Sequence, residues 1–184
     1  MPDKENRTFR ATAVVLRHVE FGEADRILTL FTLERGKIQA IAKGVRKIRS
    51  RKAGHLEPFT RVALFLAKGR NLAVVTQAEA LESYPGIRAD LQRTALAAYM
   101  VELLDRFSQE EGENRQLFHL LVDSLGRLNK DEQPETVVRY YEVQLLDLLG
   151  FRPELTYCVA CRAEIKPEDQ YFSARLGGAL CSRC

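Results

Sequence analysis

All four cysteines of this 184-residue chain lie near its C-terminal end, in two pairs. Two residues separate Cys158 from Cys161 and two separate Cys181 from Cys184, with nineteen residues between the pairs. This spacing is typical of zinc sites, because each pair forms a tight turn that points two thiolates at one ion. Four sulfur ligands leave no position for a reactive water, so the sequence predicts a structural Zn²⁺.

Two disulfides or a redox-active pair are the alternative interpretations of the cysteines. The first ten residues are polar and charged, and no apolar run approaches the roughly 18 residues of a membrane span. We therefore expect a soluble cytoplasmic protein without a membrane partner, in which thiols stay reduced. Neither pair lies in the βαβ context of a redox motif, so zinc remains the favoured interpretation.

A dense cluster of cations lies between residues 43 and 52. Six of these ten residues are basic and none is acidic: Lys43, Arg46, Lys47, Arg49, Arg51 and Lys52. Cations packed this closely repel one another unless phosphates neutralise them, so the segment predicts a nucleic-acid contact. Arg35 and Lys37 in a neighbouring turn would extend the basic surface, as would Lys68 and Arg70. A solvated basic loop without a ligand is the alternative.

The net charge of +3 conceals an uneven distribution. Residues 1–80 carry 16 Lys and Arg against 8 Asp and Glu, whereas residues 81–184 carry 12 against 17. A basic front half suits a polyanion, and an acidic back half suits a different partner. Aromatic side chains would add base stacking to phosphate binding, and Phe21 and Phe59 lie near turns where they could be exposed.

Residues for catalysis are sparse. His18, His55 and His119 belong to no metal-binding or deaminase motif, and no glycine-rich phosphate loop is present. A nuclease or other DNA-processing enzyme would need clustered carboxylates on the barrel, and only Glu20, Glu23 and Asp25 approach such a cluster. They are better explained as a polar turn beside Arg26, so we expect a protein that is not an enzyme.

Five predicted strands precede three predicted helices. Short apolar runs separated by turns predict strands over Arg10–Val19, Arg26–Leu33, Lys37–Lys43, Arg61–Ala67 and Leu72–Ala80. A closed antiparallel barrel avoids exposed edges in so short a segment. Helical spacing predicts helices over Ala89–Phe107, Arg115–Leu128 and Pro134–Gly150, with a polar break over Gln109–Asn114.

The predicted fold class is therefore α+β with several domains. It comprises an N-terminal five-stranded barrel over residues 1–82, a helical bundle over 83–150 and a four-cysteine zinc finger over 151–184.

The chain resembles the bacterial RecO family over nearly its whole length. The resemblance is carried by Ala13–Leu16, Glu23–Ile27, Gly36-Lys37, Ala53–Thr60, Lys68–Leu72, and Gly150–Leu155 leading into Cys158. The order of barrel, helices and finger is also that of the family, and the resemblance implies that the five-stranded barrel has the oligonucleotide-binding (OB) fold.

This resemblance implies a mediator of recombinational DNA repair associated with the nucleoid. Proteins of the family bind single- and double-stranded DNA, anneal complementary strands and partner with RecR. They also contact the single-stranded-DNA-binding protein and help to load RecA. Carried over to this chain, the DNA-binding face would involve Arg35, Lys37, Lys43, Arg46, Lys47, Arg49, Arg51 and Lys52.

Two features depart from the expected pattern. Gly44 to Glu57 is too basic and glycine-bounded to predict the helix that many such barrels carry between their third and fourth strands. Family members also continue beyond the finger, so the sequence is expected to be truncated. An RNA-binding or transcription accessory protein with a barrel and a zinc ribbon remains the alternative function.

Overall fold

The structure, a computed structural model, describes residues 7–108 and 112–184. These residues form two compact units, the first running to Val138 and the second from Arg139 to Cys184. The strands are β1 Thr8–Phe21, β2 Asp25–Thr32, β3 Gly36–Ala42, β4 Arg61–Ala67, β5 Ala73–Glu82, β6 Tyr171–Ser173 and β7 Gly178–Leu180. The α-helices are α1 Pro85–Arg88, α2 Leu91–Phe107, α3 Arg115–Leu128 and α4 Pro134–Leu148.

The first five strands close into a barrel in the order β1-β2-β3-β5-β4. The long β1 closes it, because its first half pairs with β4 and its second half pairs with β2. A bulge between Val15 and Arg17 lies between the two halves. Only β3 and β5 run parallel, and they meet over two residue pairs, Ala40 with Ala73 and Ile41 with Val74.

Alternating apolar residues fill the barrel. On β4, Val62, Leu64 and Leu66 are buried while their neighbours are partly exposed, as expected when successive side chains point to opposite faces. Ala13 and Leu30 belong to the same buried cluster. The barrel thus follows from the period-two pattern of its strands.

Helix α2 contacts the outer side of β1. Val14 and Phe31 pair across β1 and β2 on the side of the sheet opposite the core, yet both are fully buried. Arg17 of β1 and Lys37 of β3 both form ion pairs with Asp105 of α2, at 3.1 and 3.2 Å. Part of the outer barrel surface is therefore covered by protein.

The segment between β3 and β4 contains one short 3₁₀ turn, Ala53–His55, and is otherwise built of turns and bends. The absence of a longer helix between Gly44 and Glu57 agrees with the sequence expectation. A buried apolar residue near each end, Val45 and Leu56, belongs to the barrel core, so the segment is packed against the barrel at both ends.

The helices begin where side chains cap them. The Asp90 carboxylate accepts the Arg93 N–H at the start of α2, and the Asn114 side chain accepts the Leu117 N–H at the start of α3. Residues 109–111, in the polar break predicted between these helices, lie outside the described residues. Among the described residues, no helix combines the length and apolarity needed to cross a membrane.

The predicted fold class is confirmed: a closed five-stranded barrel is followed by helices and a cluster of four cysteines. The predicted strand and helix ranges agree with the structure to within three residues at each end. Helix α1, a single turn beginning at Pro85, is an element that the sequence analysis missed.

Candidate metal centre and nucleic-acid interface

Each cysteine pair of the second unit lies on a tight turn. The carbonyl of Cys158 accepts the Arg162 N–H at 2.8 Å, and the carbonyl of Cys181 accepts the Cys184 N–H at 3.0 Å. Arg162 adopts a left-handed conformation, φ 62°, which closes the first turn. Because each turn reverses the chain over a few residues, its two thiols face the same side.

Backbone pairing brings the two turns together. The Val159 N–H donates to the carbonyl of Ala179 at 2.9 Å, and the Ala179 N–H donates to the carbonyl of Glu154 at 2.8 Å. Gly178 allows this approach, because a Cβ there would collide with the Glu154 carbonyl oxygen. The segment before the first pair thus lies against β7, which leads into the second pair.

The four sulfur atoms lie within 4.8 Å of one another. Cys161 Sγ and Cys181 Sγ are 3.7 Å apart, much farther than the roughly 2.05 Å of a disulfide bond. A tetrahedral site with Zn–S bonds of about 2.3 Å requires sulfur separations of about 3.8 Å. The four cysteines therefore fit a metal ion coordinated by four thiolates, as the spacing of the pairs predicted.

Hydrogen bonds prepare one of these thiols for metal binding. The Cys181 backbone N–H donates to Cys158 Sγ at 3.4 Å. This bond, together with the Cys161 N–H, lowers the pKa of the Cys158 thiol to about 6, because N–H donors stabilise the thiolate. The thiolate is the form that binds metal, so Cys158 is a ready ligand at neutral pH.

The basic segment of residues 43–52, here called the basic loop, is fastened to the barrel by polar contacts. The Asp25 carboxylate accepts the Gly44 N–H at 2.7 Å, and the carbonyl of Ala24 accepts the Arg46 N–H at 3.0 Å. At the other end, the Lys52 ammonium donates to the carbonyls of Lys43 and Val75, both at 3.1 Å. The loop is therefore held at both of its ends.

Residues following the basic loop continue this attachment. Glu57 pairs with Arg26 of β2 at 2.9 Å, and His55 Nδ1 accepts the Ala80 N–H of β5 at 3.1 Å. His55 and Glu57 lie in the Ala53–Thr60 stretch that carries the family resemblance. Their contacts in this structure attach the end of the loop segment to two strands.

The six cations of the basic loop fall into two groups. Lys52 is bound to backbone carbonyls, and Arg46 pairs with Glu20 at 3.2 Å. The other four are exposed, and their side chains make no ion pair or hydrogen bond within residues 7–108 and 112–184: Lys43, Lys47, Arg49 and Arg51. These four are the cations available to an external anion.

Of the two other predicted DNA-binding residues, Arg35 lies in the turn between β2 and β3 and Lys37 lies at the start of β3. The Arg35 guanidinium lies 4.0 Å from the centroid of the Phe9 ring, and the residue is exposed. The Lys37 side chain is only 14% exposed, and its ammonium contacts both the carboxylate and the carbonyl oxygen of Asp105. Lys37 therefore connects β3 to α2, whereas Arg35 faces solvent.

Apolar side chains are exposed around the basic loop. Ile48, between Lys47 and Arg49, is fully exposed, and Phe21 at the end of β1 is 52% exposed. Phe59 is partly buried and adopts φ 68°. Of the two aromatic residues expected near turns, Phe21 is thus the one that faces solvent. Ile48 was missed, although an isoleucine among basic residues on a loop is itself a signal of exposure.

The acidic turn residues have a role that the sequence analysis did not identify. Glu20 and Asp25 are engaged with Arg46 and with the Gly44 N–H, so their carboxylates hold the basic loop. The sequence analysis explained them as a polar turn beside Arg26 and did not connect them with the basic loop. An acidic turn before the β2–β3 hairpin and a basic segment after it form the sequence pattern that could have predicted this contact.

Comparisons with known proteins cover the chain from residue 7 to its last residue. A family model described as Recombination protein O N terminal matches residues 7–84, and one described as Recombination protein O C terminal matches residues 88–184. The first matched range contains the barrel with its basic loop, and the second contains the four cysteines.

Proteins named "DNA repair protein RecO" in other bacteria are similar along the same length. The relative from Roseiflexus sp. is 43% identical over 97% of this chain and 63% of its own length. Relatives from Dehalococcoides mccartyi and Pelotomaculum thermopropionicum are each 40% identical, over 96% and 97% of this chain and 70% and 69% of their own lengths. The chain thus spans about two thirds of the length of these relatives. Barrel, basic loop and cysteine cluster, together with these matches, show that the chain belongs to the RecO family.

Proposed function

We propose that this protein is a DNA-binding mediator of recombinational repair that anneals complementary single strands without catalysing a covalent reaction. One observation carries the proposal: four exposed cations without protein partners lie on a loop fastened to a barrel of the oligonucleotide-binding type. Membership of a family whose relatives are named for DNA repair supports DNA as the polyanion.

The attachment of the loop favours binding. The contacts of Asp25 and Lys52 hold both loop ends before any ligand arrives. Because the loop is already ordered, the binding of a phosphate backbone costs less free energy than binding to a flexible loop would. The four exposed cations then neutralise phosphates and release their counterions, which drives association.

Annealing follows from the same charge. Two complementary strands repel each other through their phosphates, and a cationic surface that binds both lowers this repulsion. The bases remain free to pair, because phosphate contacts carry no sequence information. The protein would therefore accelerate pairing of any two complementary sequences.

The four cysteines would hold a structural Zn²⁺. The ion would cross-link the two cysteine turns and would not act on a substrate. Four thiolates suit zinc, and they leave the ion no open position. The ion would fix a unit whose described elements after α4 are only two three-residue strands and a few backbone bridges. Family membership further supports RecR, the single-stranded-DNA-binding protein and RecA as functional partners.

The test is a comparison of single-strand binding and annealing by the wild-type chain and a variant with Lys47, Arg49 and Arg51 all changed to Gln. Each phosphate neutralised on a single strand contributes about −0.7 to the slope of log affinity against log salt. We expect the variant to reduce the magnitude of that slope by about 2 and to slow annealing of complementary oligonucleotides, including strands coated with the single-stranded-DNA-binding protein.

The matched control changes Lys130, Lys166 and Arg175, three exposed cations outside the barrel, to Gln. It removes the same charge and should leave the slope and the annealing rate near those of the wild type. Equal losses in both variants would show that net charge alone drives binding. A strong preference of the wild type for RNA over DNA of the same sequence would instead support the RNA-binding alternative.

A further inference from the structure

A cleft with a mixed polar and apolar lining opens at the end of the barrel where β2 turns into β3. Its volume is about 620 Å³, within the range of ligand sites. Phe9, Ile38 and Ala73 form its floor, since these residues also pack against the barrel core. The basic loop follows the opposite end of β3, so this cleft is separate from the loop.

The wall of the cleft carries groups suited to a nucleotide. The Arg35 guanidinium lies over the Phe9 ring with its carbon 4.0 Å from the ring centroid, a contact that holds the guanidinium at the wall of the cleft. Gln39 and Asn71 are exposed and line the same cleft, and their amide groups both donate and accept hydrogen bonds. Lys68 adds a positive charge to the lining, and Glu113 adds a negative one that is paired with Arg115.

We infer that this cleft binds one unpaired base of a single DNA strand, stacked on the face of the Arg35 guanidinium that is turned away from Phe9. Unpaired bases stack on aromatic rings and on guanidinium planes alike, because both are flat and polarizable. Amide side chains beside the stack can bond to the edge of the base. A base within a duplex is already stacked and paired, so the site selects single strands.

Strand β3 connects this cleft to the basic loop. Gln39 and Ile41 alternate with the buried Ala40 and Ala42, so both lie on the outer face of the strand, and Lys43 follows directly after its last residue. Gln39 and Lys43 are exposed, and about 3.3 Å of rise per residue separates them by roughly 13 Å. A single strand following β3 would therefore place one base in the cleft and its next phosphates on the loop.

This inference rests on the proposed DNA binding, and the test separates the two. Affinities are measured for a short single strand and for an abasic strand of equal length, using the wild type, Arg35→Lys and Arg70→Lys. Lysine keeps the charge but has no plane for stacking. Arg70 lies in the exposed β4–β5 turn and does not line the cleft, so it is the matched control.

We expect the wild type to prefer the base-bearing strand, and Arg35→Lys to reduce this preference by about 5- to 100-fold with an unchanged salt slope. Arg70→Lys should retain the preference. Phe9→Leu, which keeps an apolar side chain in the floor but removes the ring beneath Arg35, should also weaken it. A thermal melt confirms that each variant is folded.

Two results would overturn the inference while leaving the proposed function intact. One is a wild type that binds both strands equally with a steep salt dependence, and the other is an Arg35→Lys variant whose preference equals that of the wild type. A wild type that binds neither strand would overturn the proposed function, and the stacking site with it.

Discussion

The lysines and arginines of the basic loop differ in their contacts, and these contacts decide what each side chain does. Lys52 and Lys47 have the same chemistry and lie five positions apart. The Lys52 ammonium is occupied by two backbone carbonyls, whereas Lys47 is exposed without a protein partner. We therefore expect Lys52 to maintain the conformation of the loop and Lys47 to bind the ligand.

Changing Lys52 to Gln should therefore lower stability. Loss of charge-assisted hydrogen bonds at a partly buried position costs about 1 kcal/mol, which in a protein of this size corresponds to a fall in Tm of roughly 2–4 °C. Single-strand affinity should fall as well, because the loop loses its attachment to β5. Thermal unfolding and a binding titration on the same preparation measure both effects.

Lys47→Gln is the control for that experiment. It should leave Tm within about 1–2 °C of the wild type, because exposed substitutions change stability by less than about 0.5 kcal/mol. Its salt slope should drop in magnitude by about 0.7. Identical Tm shifts in the two variants would contradict the structural role given to Lys52.

At the residue scale, side-chain chemistry could be predicted from the sequence but contacts could not. The spacing of the cysteines was sufficient to predict four ligands around one ion, because ligand geometry restricts the intervals between them. The predicted DNA-binding set was chosen by charge alone, so it included Lys37, whose ammonium contacts Asp105 more than sixty residues later. No local pattern identifies such a long-range pair.

At the scale of elements, ion pairs lie at the edge of the contact between the barrel and α2. Arg17 and Lys37 both pair with Asp105, and the Lys37 and Asp105 side chains are 14% and 22% exposed. Removing one partner of such a pair leaves the other charge partly buried without compensation. The position of α2 on the barrel should therefore depend on Asp105.

A double-mutant cycle tests this dependence. Lys37→Met and Asp105→Asn should each destabilise the protein, and the double variant should be more stable than the sum of the two changes predicts. We expect a coupling energy of about 1 kcal/mol from denaturant unfolding, within the range observed for contacting residues. Arg35→Met combined with Asp105→Asn should be additive within about 0.5 kcal/mol, because Arg35 is not paired with Asp105. Additivity in the first cycle would show that the ion pair does not hold α2.

Metal binding by the two cysteine turns is a second property of the elements that can be tested. The purified chain should contain one zinc ion, and acidification should release it, because protons compete with the metal for the thiolates. The pKa of about 6 belongs to the metal-free Cys158 thiol, so proton competition at this ligand begins to lower the zinc affinity near that pH and release should follow at more acidic pH. Metal content after dialysis at a series of pH values gives the profile.

Cys161→Ser is the matching variant, because serine keeps the size of the side chain and removes the thiolate. It should lose most of the bound zinc and increase hydrogen exchange in residues 150–184, with little change in β1–β5. Retention of one zinc ion at full occupancy by this variant would contradict coordination by all four cysteines. A mass two or four units low in the wild type would indicate disulfides instead.

The elements themselves could be predicted well, for a physical reason. The strands of the barrel are buried on one face, so the period of two is visible in their sequence, as in Arg61–Ala67. The β1 strand was underestimated at both ends, because Phe21 and its neighbours are exposed and lack the apolar alternation. Helix α1 is a single turn and too short to show any period.

At the scale of the whole molecule, basic and acidic residues are divided between the two halves of the sequence. The barrel carries the exposed cations described above, and the acidic residues predominate after residue 80. A DNA strand should therefore contact the first half and be repelled by the second.

Hydrogen exchange with and without a saturating single strand tests this division. We expect slower exchange in residues 35–52 and 68–74 and no change in residues 150–184. The same experiment in 1 M salt, where the Debye length is about 3 Å, should abolish the protection of the basic loop. Protection confined to residues 150–184 would contradict the assignment of the barrel as the DNA-binding unit.

The closure of the barrel through β1 has a consequence for the newly made chain. Thr8 pairs with Ala67, a residue that is synthesised much later. At ordinary rates of synthesis, the edge of β1 that pairs with β4 therefore stays unpaired for several seconds. During that time β1, β2 and β3 present an open sheet edge, which is a template for mispairing with another nascent chain. The next residues to emerge are the six cations of the basic loop, and their mutual repulsion opposes the approach of two such chains on one polysome. The basic loop would thus protect the protein from aggregation before it has any DNA to bind.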